Sequence, residues 1–314
     1  MTVCRIQKGR RVVTLISRDE YGNTLDALEV LGENAGRNGY SSGVELGDKE
    51  LKTMWHAPRT REETPIVGMP GAMPGADVIE VRRWVMRLIT METENATWTE
   101  VERRLWRLTT PDRLRGSTGF FYVHYQERDG TAREIQVKRT GTPEPQNDTL
   151  PGTRGHESWS FEVTAYDPMW YGQPEEDVWE PSGSGSHVLR VRNPGDQDGH
   201  FRYLFPAANG AATWTVPDGL GVYPEGHTSA GGRIMHTLPR IDAGQVAEAD
   251  SRPYRLPFRI LGLPMSFGLM KQARFTNPLP ADSGLVELPV SVDTAATNAA
   301  IRVQVLPAYD RPSS

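Results

Sequence analysis

Between residues 158 and 165 the chain alternates, with Trp159, Phe161, Val163 and Ala165 apolar and Ser158, Ser160, Glu162 and Thr164 polar. A pleated strand with that pattern buries one face and wets the other. Asp167-Pro168 ends the run, because proline lacks a ladder donor and favours a turn. Met169, Trp170 and Tyr171 follow as an apolar knot too large to leave in water, and the knot is expected to close a domain. Upstream, the same period of two recurs in RVVTLI (11–16), VIEVRRWVMRL (78–88), FFYVHYQ (120–126) and REIQVKR (133–139), the last two joined by the turn sequence ERDG. In 78–88 the pattern puts Ile79, Val81, Trp84 and Met86 inside and Arg82, Arg83 and Arg87 in water. One stretch has the period of a helix instead. Thr97 and Glu100 have capping-box spacing, and Trp98, Val101, Leu105 and Leu108 recur every three or four residues as a packing stripe, with Trp106 beside it. Arg103, Arg104 and Arg107 form the opposite face, read as solvated. Pro111 stops the helix.

Three pieces of this first part lack a pattern. Residues 31–47 are small and polar and read as a long loop. The tandem MPGA repeat at 69–76 reads as an exposed loop, because its prolines and glycines exclude helix and strand interiors. Residues 141–155 read as a polar connector.

The texture changes after Tyr171. Residues 173–177 are acidic, PSGSGS (181–186) has the composition of a flexible connector, and from His187 onward seven short β-type runs are parted by turn residues. These are HVLRVRN, FRYLF, ATWTV, GRIMHTL, YRLPFRIL, GLVELPVSV and AIRVQVLP. Such a series predicts an antiparallel sandwich or jelly roll. The expected organisation is therefore mainly β: a domain over 1–175 with one helix on a sheet, a linker at 176–187, and a β-sandwich domain over 188–314.

Composition narrows the function. A chain of 314 residues has room for about two domains of roughly 150 residues each. Net charge −5 and pI near 5.9 argue against a nucleic-acid-binding surface. The single cysteine, Cys4, cannot form an internal disulfide, which suits a reducing cytosol. There is no apolar run of roughly 20 residues to span a bilayer and no signal core at the start. Candidate chemistry is thin. His156-Glu157 lacks the second histidine, one helical turn on, that a zinc site needs, and Ser160 stands there. The remaining histidines have no ligand spacing. Asp196 and Asp198 in NPGDQDGH lack the further oxygen ligands of a calcium loop, so a tight turn is the expectation. No phosphate-cradling glycine loop and no nucleophile elbow is present. The expectation is no catalytic residue, no cofactor and no metal, with two rivals kept: a carbohydrate-binding adhesin using Trp214, Tyr223 or Tyr254, and a cell-wall hydrolase with an acid pair.

With VTAYDPMWYG followed by VRNPGDQD about twenty residues later, the chain resembles minor tail proteins of the distal tail protein type from long-tailed phages of actinobacteria. The marks are Asp167-Pro168-Met169-Trp170, ending the strand that holds Trp159, and Asn193-Pro194-Gly195-Asp196. WTEVERRLWRL, GRIMHTLPR and the terminal AYDRP add to them, while His236 and Ser313 stand where an acid and an aromatic are expected. The resemblance covers the chain from about Val78 onward. It implies a ring-forming belt domain, a homohexamer at the end of the tail tube, and an outward galectin-like sandwich. It also implies a baseplate role at the tail tip and assembly in the host cytoplasm. The implied partners are the tail tube protein, the tape measure protein, other tip proteins and a host surface glycan.

Overall fold

The structure, a computed structural model, describes residues 11–19, 22–36, 42–47, 52–65, 72–110, 117–146, 155–252, 255–263 and 274–313. It is mainly β and divides into two compact units, one comprising Met1–Tyr171 with Asp310–Ser314 and the other Gly172–Tyr309. Cys4 and Tyr254 lie outside the described residues, as do residues 69–71 of the MPGA repeat, 37–41 of the first loop and 147–154 of the polar connector.

The first unit holds β1 (Val12–Asp19), β2 (Thr24–Leu31), β3 (Val44–Leu46), α1 (Lys52–Trp55), β4 (Arg59–Pro65) and β5 (Ala72–Ile79). β6 (Arg82–Met91), α2 (Trp98–Thr109), β7 (Ser117–Gln126), β8 (Ala132–Arg139), β9 (Glu144–Pro145), β10 (His156–Ala165) and β11 (Trp170–Tyr171) follow. One antiparallel sheet runs β2-β1-β7-β8-β11. Another runs β3-β6-β10, and β10 reaches β8 through Val163 and Thr164 opposite Arg139 and Lys138. Alternation decides which face is dry: Leu15, Phe121, Val123, Ile135, Val137, Leu88, Phe161 and Val163 are buried. α2 lays Val101, Leu105 and Leu108 onto this core. Its start is fixed by the Glu100 carboxylate, which accepts from the Thr97 amide (2.9 Å) and hydroxyl (2.8 Å). β4 and β5 pair with each other and with no other described strand.

The second unit holds β12 (Glu175–Trp179), β13 (Gly185–Asn193), β14 (Gln197–Phe205), β15 (Ala212–Val222) and β16 (Arg233–Thr237). β17 (Ala247–Asp250), β18 (Phe258–Ile260), β19 (Ser283–Thr294) and β20 (Ile301–Tyr309) complete it. Its strands run β12-β20-β14-β17-β18 on one side and β13-β19-β15-β16 on the other. Leu189, Phe201, Tyr203, Phe205, Trp214, Leu288, Val290, Ile301 and Val303 fill one apolar core between the two layers, as a β-sandwich requires.

Three expectations fail for physical reasons. The stretch 176–187 is not a free linker: β12 pairs with β20 along its length, and β13 begins at Gly185. The acids that made it look like a connector each have a partner. Arg192 reaches Glu175 (3.0 Å), Gln304 reaches Glu176 (2.5 Å), and the Arg190 amide reaches Asp177 (2.7 Å). The strand expected over 78–88 is two strands, with Val81 at the turn between them, 38% exposed, and Arg82 fully buried. The second MPGA copy belongs to β5, where Pro74 faces Glu63 in a hairpin that has no neighbouring strand among the described residues to demand its missing amide. Sequence runs also passed over β17, whose AEAD carries no β-branched residue.

Candidate functional site

In the first unit the aspartate-proline turn is locked on itself: Asp167 accepts the Met169 amide (3.3 Å) and the Tyr171 hydroxyl (2.8 Å). The turn drops Trp170 into the core, where its indole N–H donates to the Met54 carbonyl (3.3 Å) and its ring stands edge-on to Tyr125. The residue that ties this region together is one the sequence pattern placed in water. Arg82 donates from Nε to the Pro168 carbonyl (3.0 Å), from Nη1 to Met54 (2.6 Å) and from Nη2 to the Asp310 carbonyl (2.9 Å). One guanidinium thus ties the DPMW turn, the end of α1 and the AYDRP segment. Burial pulls its pKa down to about 10 against the pull of Asp310, so it stays charged at neutral pH. Asp310 in turn accepts the Ala57 amide (3.3 Å) and lies 3.7 Å from Arg59.

Trp159 is buried on β10, and its N–H and that of the half-buried Trp98 both donate to the Thr90 hydroxyl (3.2 and 3.0 Å). Trp106 packs edge-on against Trp159 at 5.2 Å and lies under Arg139. The helix's cationic face is only partly solvated: Arg104 is held by Asp26 (2.7 Å) and the Ala27 carbonyl (2.9 Å).

The second marked motif is a backbone clamp in the second unit. Asn193 is buried, and its Nδ2 donates to the carbonyls of Gln197 (3.0 Å), Leu279 (3.2 Å) and Pro280 (3.0 Å), while its Oδ1 accepts the Gly195 amide (3.0 Å). Gly195 has no room for a side chain, since a Cβ would fall 2.4 Å from the Ala308 carbonyl oxygen and 2.7 Å from its nitrogen. Gly195→Val is expected to cost about 1–3 kcal/mol through that overlap, read as a lower melting midpoint of the second unit. Asp196 is exposed, and Asp198 accepts the Ala281 amide (3.2 Å). Among the described residues no three His, Cys, Asp or Glu gather as metal ligands.

Among the described residues, Asp218 and His236 form an acid–imidazole pair 3.8 Å apart on neighbouring strands. Asp218 is buried and accepts from Thr276 N (2.9 Å), Thr276 Oγ1 (3.0 Å), Asn277 N (3.2 Å) and Asn277 Nδ2 (2.7 Å). Burial alone pushes its pKa up, but these donors and the nearby His236 outweigh it and hold the group at about 2. A carboxyl held that firmly as the anion is a poor proton donor, and its work is to pin residues 276 and 277 to the bulge of β15. Because the folded value lies below the usual 3.8, the stabilisation is complete above pH 3.8 and is lost as pH falls through about 2. Denaturant melts of wild type should lose about 2 kcal/mol over that window, and Asp218→Asn should abolish this component. An unchanged acid profile in the variant would refute it.

Of the aromatics considered for glycan, Trp214 is in the core and cannot present a ring to sugar. Tyr223 is half-buried and stacks on His227 with centroids 4.2 Å apart. No helix among the described residues is long and apolar enough to cross a membrane.

No protein-family model matches the chain, and no curated protein matches it. Among solved structures, the fold is shared with a chain of the phage p2 baseplate in its activated conformation with Sr, at TM-score 0.53 and 11% identity, covering 94% of this chain and 98% of that one. The same baseplate with Ca gives TM-score 0.54, 11% identity and coverages of 94% and 97%. The SPP1 Dit (gp 19.1) protein, described as a paradigm of the hub adsorption apparatus in Gram-positive infecting phages, aligns at TM-score 0.46 and 11% identity, covering 94% and 98%.

Proposed function

We propose that this chain is a structural, non-enzymatic component of a phage tail tip: a distal ring that joins the tail tube to the baseplate and its host-attachment parts. The observation that carries the reading is the likeness to a p2 baseplate chain, which spans nearly all of both chains and so takes in both units in order. The sequence motifs support it from a second side. Asp167-Pro168-Met169-Trp170 and Asn193-Pro194-Gly195-Asp196 sit where they fix backbone, at Arg82 and at the Asn193 clamp, which is the use a scaffold makes of such residues. In this reading the first unit forms the homohexameric belt and the second a galectin-like outer module. The tail tube protein, the tape measure protein and other tip proteins are the neighbours, and assembly takes place in the host cytoplasm. The assignment to actinobacterial phages rests on the motif resemblance.

Gold-labelled antibody against the chain, applied to intact virions of the encoding phage, should decorate the distal end of the tail. Label on the capsid, or none on the virion, would overturn the proposal.

A further inference from the structure

We infer that the first unit is completed last: residues 310–313, made after the whole second unit, close the corner around Arg82, so an unfinished chain holds a first unit that stays open there. One consequence rests on the ring reading above. If the first unit is the belt, the device keeps unfinished chains out of the ring.

The first unit is discontinuous along the chain. It takes in Met1–Tyr171 and then Asp310–Ser314, with all of Gly172–Tyr309 between them. The returning segment is built into the unit. The Asp310 carbonyl accepts from Arg82 Nη2 (2.9 Å), the Arg311 carbonyl from Arg133 Nη1 (2.7 Å), and Asp310 Oδ1 accepts the Ala57 amide (3.3 Å). The Asp310 carboxylate also lies 3.9 Å from Arg82 Nη2 and 3.7 Å from Arg59, and Pro312 is buried. Both arginines that receive the segment are inside, Arg82 at 0% exposure and Arg133 at 5%.

Those burials decide the order of events. In a chain that has not reached residue 310, Arg82 lacks both the carbonyl that takes its Nη2 and the carboxylate that answers its charge. Burying a guanidinium in that state costs more than leaving it hydrated. The strands can pair earlier, since the ladders of β1, β7 and β8 and of β6 and β10 need nothing beyond residue 165. The corner cannot close, and the Met54 and Pro168 carbonyls wait for the same guanidinium. Domains ordinarily fold in the order they are made, at about 5–20 residues per second. Here the first unit waits while the second is made, for a time on the order of ten seconds at that rate.

Ribosome-bound chains stalled at successive lengths and pulsed with trypsin test the order. Cleavage after Arg82 and Arg133 should persist in every shorter chain and fall at least about tenfold once residues 310–313 have left the exit tunnel. Protection of both sites in a shorter chain would overturn the inference, as would unchanged cleavage in the complete one. Released proteins test the cause. A chain ending at Tyr309 should be cut after Arg82 and Arg133 at least about tenfold faster than the full chain, with cutting inside the second unit unchanged. Asp310→Ala, which keeps the chain length, should speed the same two sites by less. Equal rates in truncated and full chains, or acceleration spread over both units in both variants, would overturn the inference. Neither measurement involves assembly, so these outcomes are separate from failure of the ring reading, which microscopy of the full chain reports.

Discussion

Trp170→Ala should unfold the first unit at a temperature several degrees lower than wild type. The indole is fully buried, packs edge-on to Tyr125, and donates its N–H to the Met54 carbonyl. Truncation leaves a cavity and a weakened acceptor, costing on the order of 3 kcal/mol or more. For a unit of this size that corresponds to roughly 6–12 °C in Tm. Differential scanning calorimetry should show the transition of the first unit moving while that of the second stays. In the proposed ring, assembly should suffer as a consequence, because the destabilised unit is the one assigned to the belt. A variant that melts like wild type would mean that Trp170 is not packed as described.

Arg82→Met should be as damaging, through polarity instead of volume. Methionine fills much of the same space but donates nothing, so the carbonyls of Pro168, Met54 and Asp310 lose their partner together. Removing a buried charge that satisfies several acceptors costs about 3–5 kcal/mol. Arg82→Lys should recover less than half of it, because one ammonium cannot reach three acceptors arranged for a planar fork. The Trp170→Ala and Arg82→Met losses should add to less than their sum in the double variant, since both side chains donate to Met54 O. Chemical denaturation of the four variants against wild type measures all of this, and full rescue by lysine would show that charge alone, not the fork, is what the site uses.

Arg82 marks the limit of what alternation along the chain can convey. Alternation located β1, β7, β8 and β10 and most strands of the sandwich, because in those strands an apolar side chain is also an inward one. It failed at 78–88, where Val81 occupies a turn and an arginine takes the inward position. No periodicity separates an arginine that snorkels from one that meets three carbonyls contributed by distant segments. The acids of β12 failed for a related reason: Glu175, Glu176 and Asp177 look like a solvated connector until Arg192, Gln304 and the Arg190 amide arrive from other strands. The capping box and stripe of α2 were legible because both are local. The marked motifs were visible as words, at Asp167-Pro168 and Asn193-Pro194-Gly195, but their meaning as clamps was not, since Met54, Asp310, Leu279 and Pro280 lie far away in sequence.

The central claim is that this chain is a ring-forming scaffold of a tail tip, and electron microscopy of the purified full-length protein across a concentration series tests it most directly. Class averages should show closed rings with six-fold symmetry and an open centre, their number rising with concentration. A chain that remains monomeric at the highest concentration, or that forms open filaments or two-fold dimers, would contradict it.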